Sequence, residues 1–258
     1  MEDLKERLSL DEALAQAAAV GMTAAVWAKV HPDKIAIYDP NGRTRTFAEI
    51  NANANRLARL FRQHGLKPGD ALALVCSNRA EFVEVLAACL RSGIRITPVN
   101  WHLTADEIAY IIKDCEAKVL IGEARVATVG PAAEECPDLI LKLAVGGHIE
   151  GFTDYDTMLA PLDGSDIDDP VLGNQMMYTS GTTGRPKGVF RPAPVVTPQA
   201  MYALRGYDHE TSVQMCAGPA YHAAPLAFDV RAAMGAGVPL VFIDKWDSEL
   251  VLKTIAEK

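Results

Sequence analysis

Residues 71–99 read ALALVCSNRAEFVEVLAACLRSGIRITPV. Ala71 to Cys76 is a short continuous apolar run, the pattern of a strand buried on both faces. Phe82, Leu86, Cys89 and Leu90 then share one side of a helix, and Ile94 to Val99 is a second strand. Strand, helix and strand in this order make a βαβ unit, whose two strands lie parallel.

The alternation continues on either side. Upstream, Phe47, Ile50, Ala54, Leu57, Ala58 and Phe61 form one helical face, which Gly65 and Pro68 end. Downstream come a helix over Ala105 to Cys115 and strands over Lys118 to Ile121 and Leu139 to Val145. Ser9/Glu12, Thr46/Glu49 and Thr104/Glu107 have capping-box spacing, and Asn78/Glu81 is a looser variant. The pattern lapses from Thr153 to Asn174, where Asp163, Asp166, Asp168, Asp169 and Pro170 make an acidic loop or a boundary. It resumes with strands at Gln175 to Tyr178, Ser212 to Cys216 and Val238 to Ile243. The expectation is an α/β fold with mainly parallel sheets covered by helices on both faces. A first βα subdomain is expected over 1–170, and the start of a second over 171–258.

The chain has 258 residues, with 25 Lys+Arg against 33 Asp+Glu, a formal net charge of −8. A chain of this size buries roughly 70–75% of its unfolded surface, so a real core is available. The acidic balance argues against coating nucleic acid by charge. Cys76, Cys89, Cys115, Cys136 and Cys216 are odd in number, widely spaced and without a Cys-x-x-Cys pair. They read as small buried hydrophobes in a reducing cytoplasm, neither a disulfide framework nor a zinc module. Ala13 to Ala28 is alanine-dominated and interrupted by Gln16, Gly21 and Thr23. A spanning helix needs about 20 strongly apolar residues, so this stretch reads as a packed helix, and no transmembrane segment is expected.

The chemistry concentrates in Tyr178-Thr179-Ser180-Gly181-Thr182-Thr183-Gly184-Arg185-Pro186-Lys187-Gly188-Val189. Glycines let backbone amides converge on an anion, the hydroxyls add donors, and Lys187 adds a mobile positive charge. The run therefore reads as a phosphate cradle, though the Walker A spacing is absent. The bland alternative is a Gly/Thr-rich surface turn with a solvated lysine. The run resembles the signature of the adenylate-forming superfamily, which includes acyl-CoA synthetases, peptide-synthetase adenylation domains and luciferases. Arg45-Thr46-Phe47-Ala48-Glu49-Ile50, Leu90-Arg91-Ser92-Gly93 and Pro98-Val99-Asn100 resemble further segments of that family. Gly218-Pro219-Ala220-Tyr221-His222 resembles a motif of its fatty-acyl and aryl CoA ligases.

The resemblance implies the large N-terminal domain of an acyl-CoA synthetase. Such an enzyme uses ATP with Mg2+ to activate a carboxylic acid, of the fatty-acid class here, as an acyl-adenylate. A thiol, usually coenzyme A, then takes the acyl group. Thr179, Ser180, Gly181, Thr182, Thr183, Gly184 and Lys187 would hold the β- and γ-phosphates, and His222 would lie near the acyl carboxylate. For His222 a core histidine bonded to backbone is the alternative. His31, His64, His102, His148 and His209 read as surface or structural, Trp101, Phe228 and Trp246 as packing, and no residue is read as a metal ligand. Phe190-Arg191-Pro192 stands where the family often has a Thr-His pair. The family's magnesium, ribose and catalytic-lysine motifs have no match here, so the expectation is an N-terminal part with little activity alone. A non-catalytic phosphate- or nucleotide-binding module, one half of a split ligase, or an interaction domain with a vestigial loop stay open. Apolar surface left uncovered is expected to favour self-association, a homodimer included.

Overall fold

The computed structural model describes residues 8–179, 185–190 and 205–258. Two short helices open the fold, α1 (Leu10–Ala19) and α2 (Thr23–Val30). The expected single helix over 13–28 is thus broken, and Gly21 is the reason. Its φ is +74°, and a Cβ there would sit 2.1 Å from the Leu90 carbonyl oxygen, so only glycine lets the chain turn against that backbone. Next come β1 (Ile35–Tyr38), β2 (Thr44–Thr46) and α3 (Phe47–Gln63). Then follow β3 (Ala71–Val75), α4 (Ala80–Arg91), β4 (Arg95–Pro98), α5 (Ala105–Asp114) and β5 (Ala117–Glu123). After these come α6 (Val129–Glu134), β6 (Leu141–Val145), β7 (Thr153–Asp154) and α7 (Tyr155–Leu159). The chain continues through β8 (Asn174–Thr179), β9 (Lys187–Phe190) and β10 (Gln214–Cys216). A helical stretch over 223–236 (α8), π-wound at Leu226–Arg231, leads to β11 (Leu240–Phe242) and α9 (Ser248–Glu257).

The strands form a seven-stranded sheet, β7-β6-β5-β3-β4-β8-β9, and a four-stranded sheet, β10-β11-β1-β2. Every pairing is parallel except β8–β9 and β1–β2. Both sheets draw strands from either side of residue 170. The pleat sends alternate residues of β3 to opposite layers. Leu72 and Leu74 pack in the core that contains α3 and α4, while Ala73 and Val75 join Ile108, Ile112 and Val129 of α5 and α6. The parallel α/β expectation, with helices on both faces, therefore holds.

Ser9, Thr46 and Thr104 each form the full reciprocal capping box. Asn78 does not cap α4. The first amide of that helix, on Ala80, instead donates to Asp39 Oδ1 at 2.7 Å, across the space between the two sheets. The acidic stretch is held by ion pairs and hydrogen bonds. Asp166 pairs with Lys29 at 3.0 Å and accepts from Asn51 and Asn55, while Asp163 and Asp169 pair with Arg59 and Arg62. These contacts strap the segment onto α3. All five cysteines are free and buried. Among the described residues, no helix is long and apolar enough to cross a membrane.

Candidate active site

The two ends of the glycine- and threonine-rich run pair as antiparallel strands. Thr179 at the end of β8 pairs in register with Lys187 at the start of β9, and Tyr178 pairs with Gly188. Because β8 lies parallel to β4, Thr179 and Lys187 stand at the carboxyl end of the parallel strands, where open α/β sheets bind their ligands. Ser180, Gly181, Thr182, Thr183 and Gly184 lie outside the described residues.

The hairpin's base is fixed from below. The Tyr178 hydroxyl donates to Asp114 of α5, and burial with that contact pushes the phenol's pKa up, so it stays protonated. A Cβ on Gly188 would meet the Met176 methyl at 2.1 Å and the Tyr178 ring at 3.1 Å, which explains glycine beside Lys187. The Arg185 guanidinium lies 5.2 Å over the Tyr110 ring. Lys187 itself is exposed and, among the described residues, has no carboxylate partner. Its ammonium is therefore available to an anionic ligand. The Thr179 hydroxyl makes only a 3.5 Å contact to the Lys187 carbonyl, so it too is available.

His222 stands on a different segment. It is exposed at the entry to α8, its amide donates to the Pro219 carbonyl at 3.0 Å, and its ring tilts against Tyr221 at 4.7 Å. The alternative of a buried histidine bonded through its ring is thus not what the structure shows. Among the described residues, no hydrogen bond or ion pair joins His222 to Thr179 or Lys187.

Sequence reasoning missed the residue that holds this segment. Asn78, just beyond β3, donates to the carbonyls of Gly218 (2.9 Å) and Ile243 (3.0 Å) and accepts from the Ala220 amide at 2.8 Å. One buried amide thus ties the end of β3 to the approach of His222 and to the end of β11. Asn78→Ala leaves two carbonyls and one amide without their partner, and is expected to cost about 2 kcal/mol in urea unfolding.

Next to Asn78 a charged network fills the carboxyl ends of β3 and β5. Glu123 accepts from the Ser77 amide at 2.9 Å, from Arg79 at 3.1 Å and from Arg125 at 2.9 Å. Arg125 also pairs with Asp244 beyond β11 and lies 5.0 Å over Trp101. A cleft of about 880 Å³ opens here between the ends of the two sheets, and neither Thr179, Lys187 nor His222 lines it. Phe228 and Trp246, expected as packing, are 48% and 62% exposed, Phe228 beneath the Arg205 guanidinium.

A mainly parallel α/β sheet thus carries, at its carboxyl edge, a hairpin with an exposed lysine. The chain belongs to the AMP-binding enzyme family, which it matches over residues 24–258. It is 34% identical over 168 residues to a fatty acid–[acyl-carrier-protein] ligase, ScoC of Streptomyces coeruleorubidus, covering 64% of this chain and 30% of that one. It is 30% identical over 239 residues to the long-chain-fatty-acid–CoA ligase FadD13 of Mycobacterium tuberculosis, covering 90% of this chain and 46% of the other. The anthranilate CoA ligase AuaEII, solved with anthranoyl-AMP, superposes with a TM-score of 0.78 at 21% identity, over 91% of this chain and 48% of that one. The chain therefore spans between 30% and 46% of these two curated relatives' length.

Proposed function

We propose that this chain is the ATP- and acid-binding part of an acid–thiol ligase of the fatty-acyl class, working in the cytoplasm. The observation that carries the reading is the hairpin whose register sets Lys187 opposite Thr179 at the carboxyl edge of the sheet. The names of the fatty-acid ligases among its relatives support the acyl class. The Lys187 ammonium and the hydroxyls of Thr179, Ser180, Thr182 and Thr183 hold the β- and γ-phosphates of Mg-ATP, with Gly181 and Gly184 giving the amides room. His222 orients the acid's carboxylate. A carboxylate oxygen attacks the α-phosphorus, forming the acyl–phosphate anhydride and releasing pyrophosphate. The sulfur of a thiol such as coenzyme A then attacks the acyl carbon and releases AMP. The protein's contribution is positioning and charge stabilisation.

A second reading is one half of a split ligase, or a module that binds nucleotide without turning it over. The coverage of under half of FadD13 supports it. Exposed Trp246, Leu252 and Ile255 around α9 support self-association as a homodimer. Calorimetric titration with Mg-ATP and with pyrophosphate tests the core of both readings. Lys187→Ala is expected to weaken each by about tenfold to a hundredfold, the loss of one charge-assisted contact. A folded chain that binds neither ligand, or a variant that binds as well as the parent, overturns the assignment. Acid-dependent AMP formation by the chain alone would remove the second reading.

A further inference from the structure

Far along the sequence from the phosphate hairpin, two histidines and a glutamate meet. His31 ends α2, its amide bonded to the Trp27 carbonyl, and His209 and Glu210 lie in the turn before β10. His31 Nε2 and His209 Nδ1 are 3.1 Å apart, and Glu210 Oε1 is 3.5 Å from each of them. Ligand atoms about 2.0–2.1 Å from a tetrahedral zinc ion stand roughly 3.3–3.4 Å from one another, so these three form one face of such a site.

We propose that His31, His209 and Glu210 bind a divalent transition-metal ion of the zinc class. The donor set is two imidazoles and one carboxylate, which suits zinc or its neighbours and not magnesium or calcium. The cluster is open to solvent at Glu210, whose side chain is 63% exposed.

The surroundings hold the rings in place before any ion arrives. Trp27, 1% exposed, lies parallel to the His31 ring at 6.1 Å and tilts against His209 at 5.2 Å. Asp208 fixes the turn, accepting from the Glu210 amide at 2.8 Å and from Thr211 at 3.1 Å. Lys34 stands beside the cluster, and its ammonium is turned onto the carbonyls of His209 and Gly237. The carboxylates of Glu210 and Asp208 oppose its charge. A bound ion would join positions 178 residues apart in sequence, closing α2 onto the segment that enters the four-stranded sheet. Binding to the folded state alone would then stabilise the chain.

The rival account of the same geometry is a neutral hydrogen bond between the imidazoles. Zinc chloride titrated into the metal-free 258-residue chain, against a chromophoric chelator, separates the two. The expected result is one ion per chain, a higher melting temperature with zinc, and at least about tenfold weaker binding in His209→Ala and Glu210→Gln. His148→Ala, which removes an exposed histidine beside Glu150, serves as the control and is expected to bind as the parent does. Should His209→Ala fail to fold, cobalt in the parent chain gives an independent reading. A tetrahedral ligand-field spectrum that Glu210→Gln alters supports the site. Absence of one-to-one binding, binding unchanged in Glu210→Gln, or binding lost in His148→Ala overturns it.

Discussion

Trp27→Ala is expected to lose about 4 kcal/mol of stability, read as a lower urea midpoint at unchanged slope. The indole is 1% exposed and its Nε1–H donates to the Gly235 carbonyl at 2.9 Å. It lies close against the turn into β11: Gly237 has φ +69°, and a Cβ there would stand 2.5 Å from the ring. Tryptophan and glycine are therefore one packing unit. The truncation opens a cavity between α2 and α8 and leaves the Gly235 carbonyl without its donor. The same wall positions His31 and His209, so the variant is expected to lose zinc-dependent stabilisation along with intrinsic stability. A midpoint within experimental error of the parent would mean that α2 is not part of the shared core.

The parts of this fold that were legible in the sequence are those whose cause is local. Thr46 and Glu49 are three residues apart and satisfy each other's amides, so spacing alone identifies the start of α3. The βαβ alternation was legible because β3 is buried on both faces and therefore continuously apolar. Asn78 has the same local spacing to Glu81, yet its partners are Gly218, Ala220 and Ile243. The cap it was expected to supply comes from Asp39. No local pattern carries that information. The pairing of β1 with β11 was equally hidden, since strands of four and three residues show no usable period. The ion pairs of the acidic stretch, read as a loop or a boundary, were hidden because Arg59, Arg62 and Lys29 lie far upstream. In the candidate site, the sequence offers residue types and no geometry. The run 178–189 reads as a phosphate cradle by composition alone, while the register of Thr179 on Lys187 follows only from the strand pairing.

Two carboxylates one turn apart on α4 are expected to give opposite pH profiles. Glu84 is fully buried, and although Asn53, Tyr155 and Arg45 all reach it, burial pushes its pKa from 4.5 up to about 7. Glu81, also buried, is gripped by Arg79 at 2.7 Å and Arg43 at 2.7 Å, and its pKa falls to about 2. Folded Glu84 holds its proton more tightly than unfolded Glu84. Its contribution is fully present below pH 4.5 and is lost as pH rises through about 7, a change of about 3 kcal/mol. Glu81 runs the other way. Its contribution is present above pH 4.5 and is lost as pH falls through about 2, again by about 3 kcal/mol. Glu84→Gln should therefore flatten the decline of stability between pH 4.5 and 7. Glu81→Gln should cost about 3 kcal/mol throughout that interval, since it leaves Arg79 and Arg43 facing a neutral amide. Urea unfolding of both variants from pH 4.5 to 8 distinguishes the two. If Glu84→Gln keeps the parent's decline, Glu84 is ionised in the folded chain, and its three donors outweigh burial.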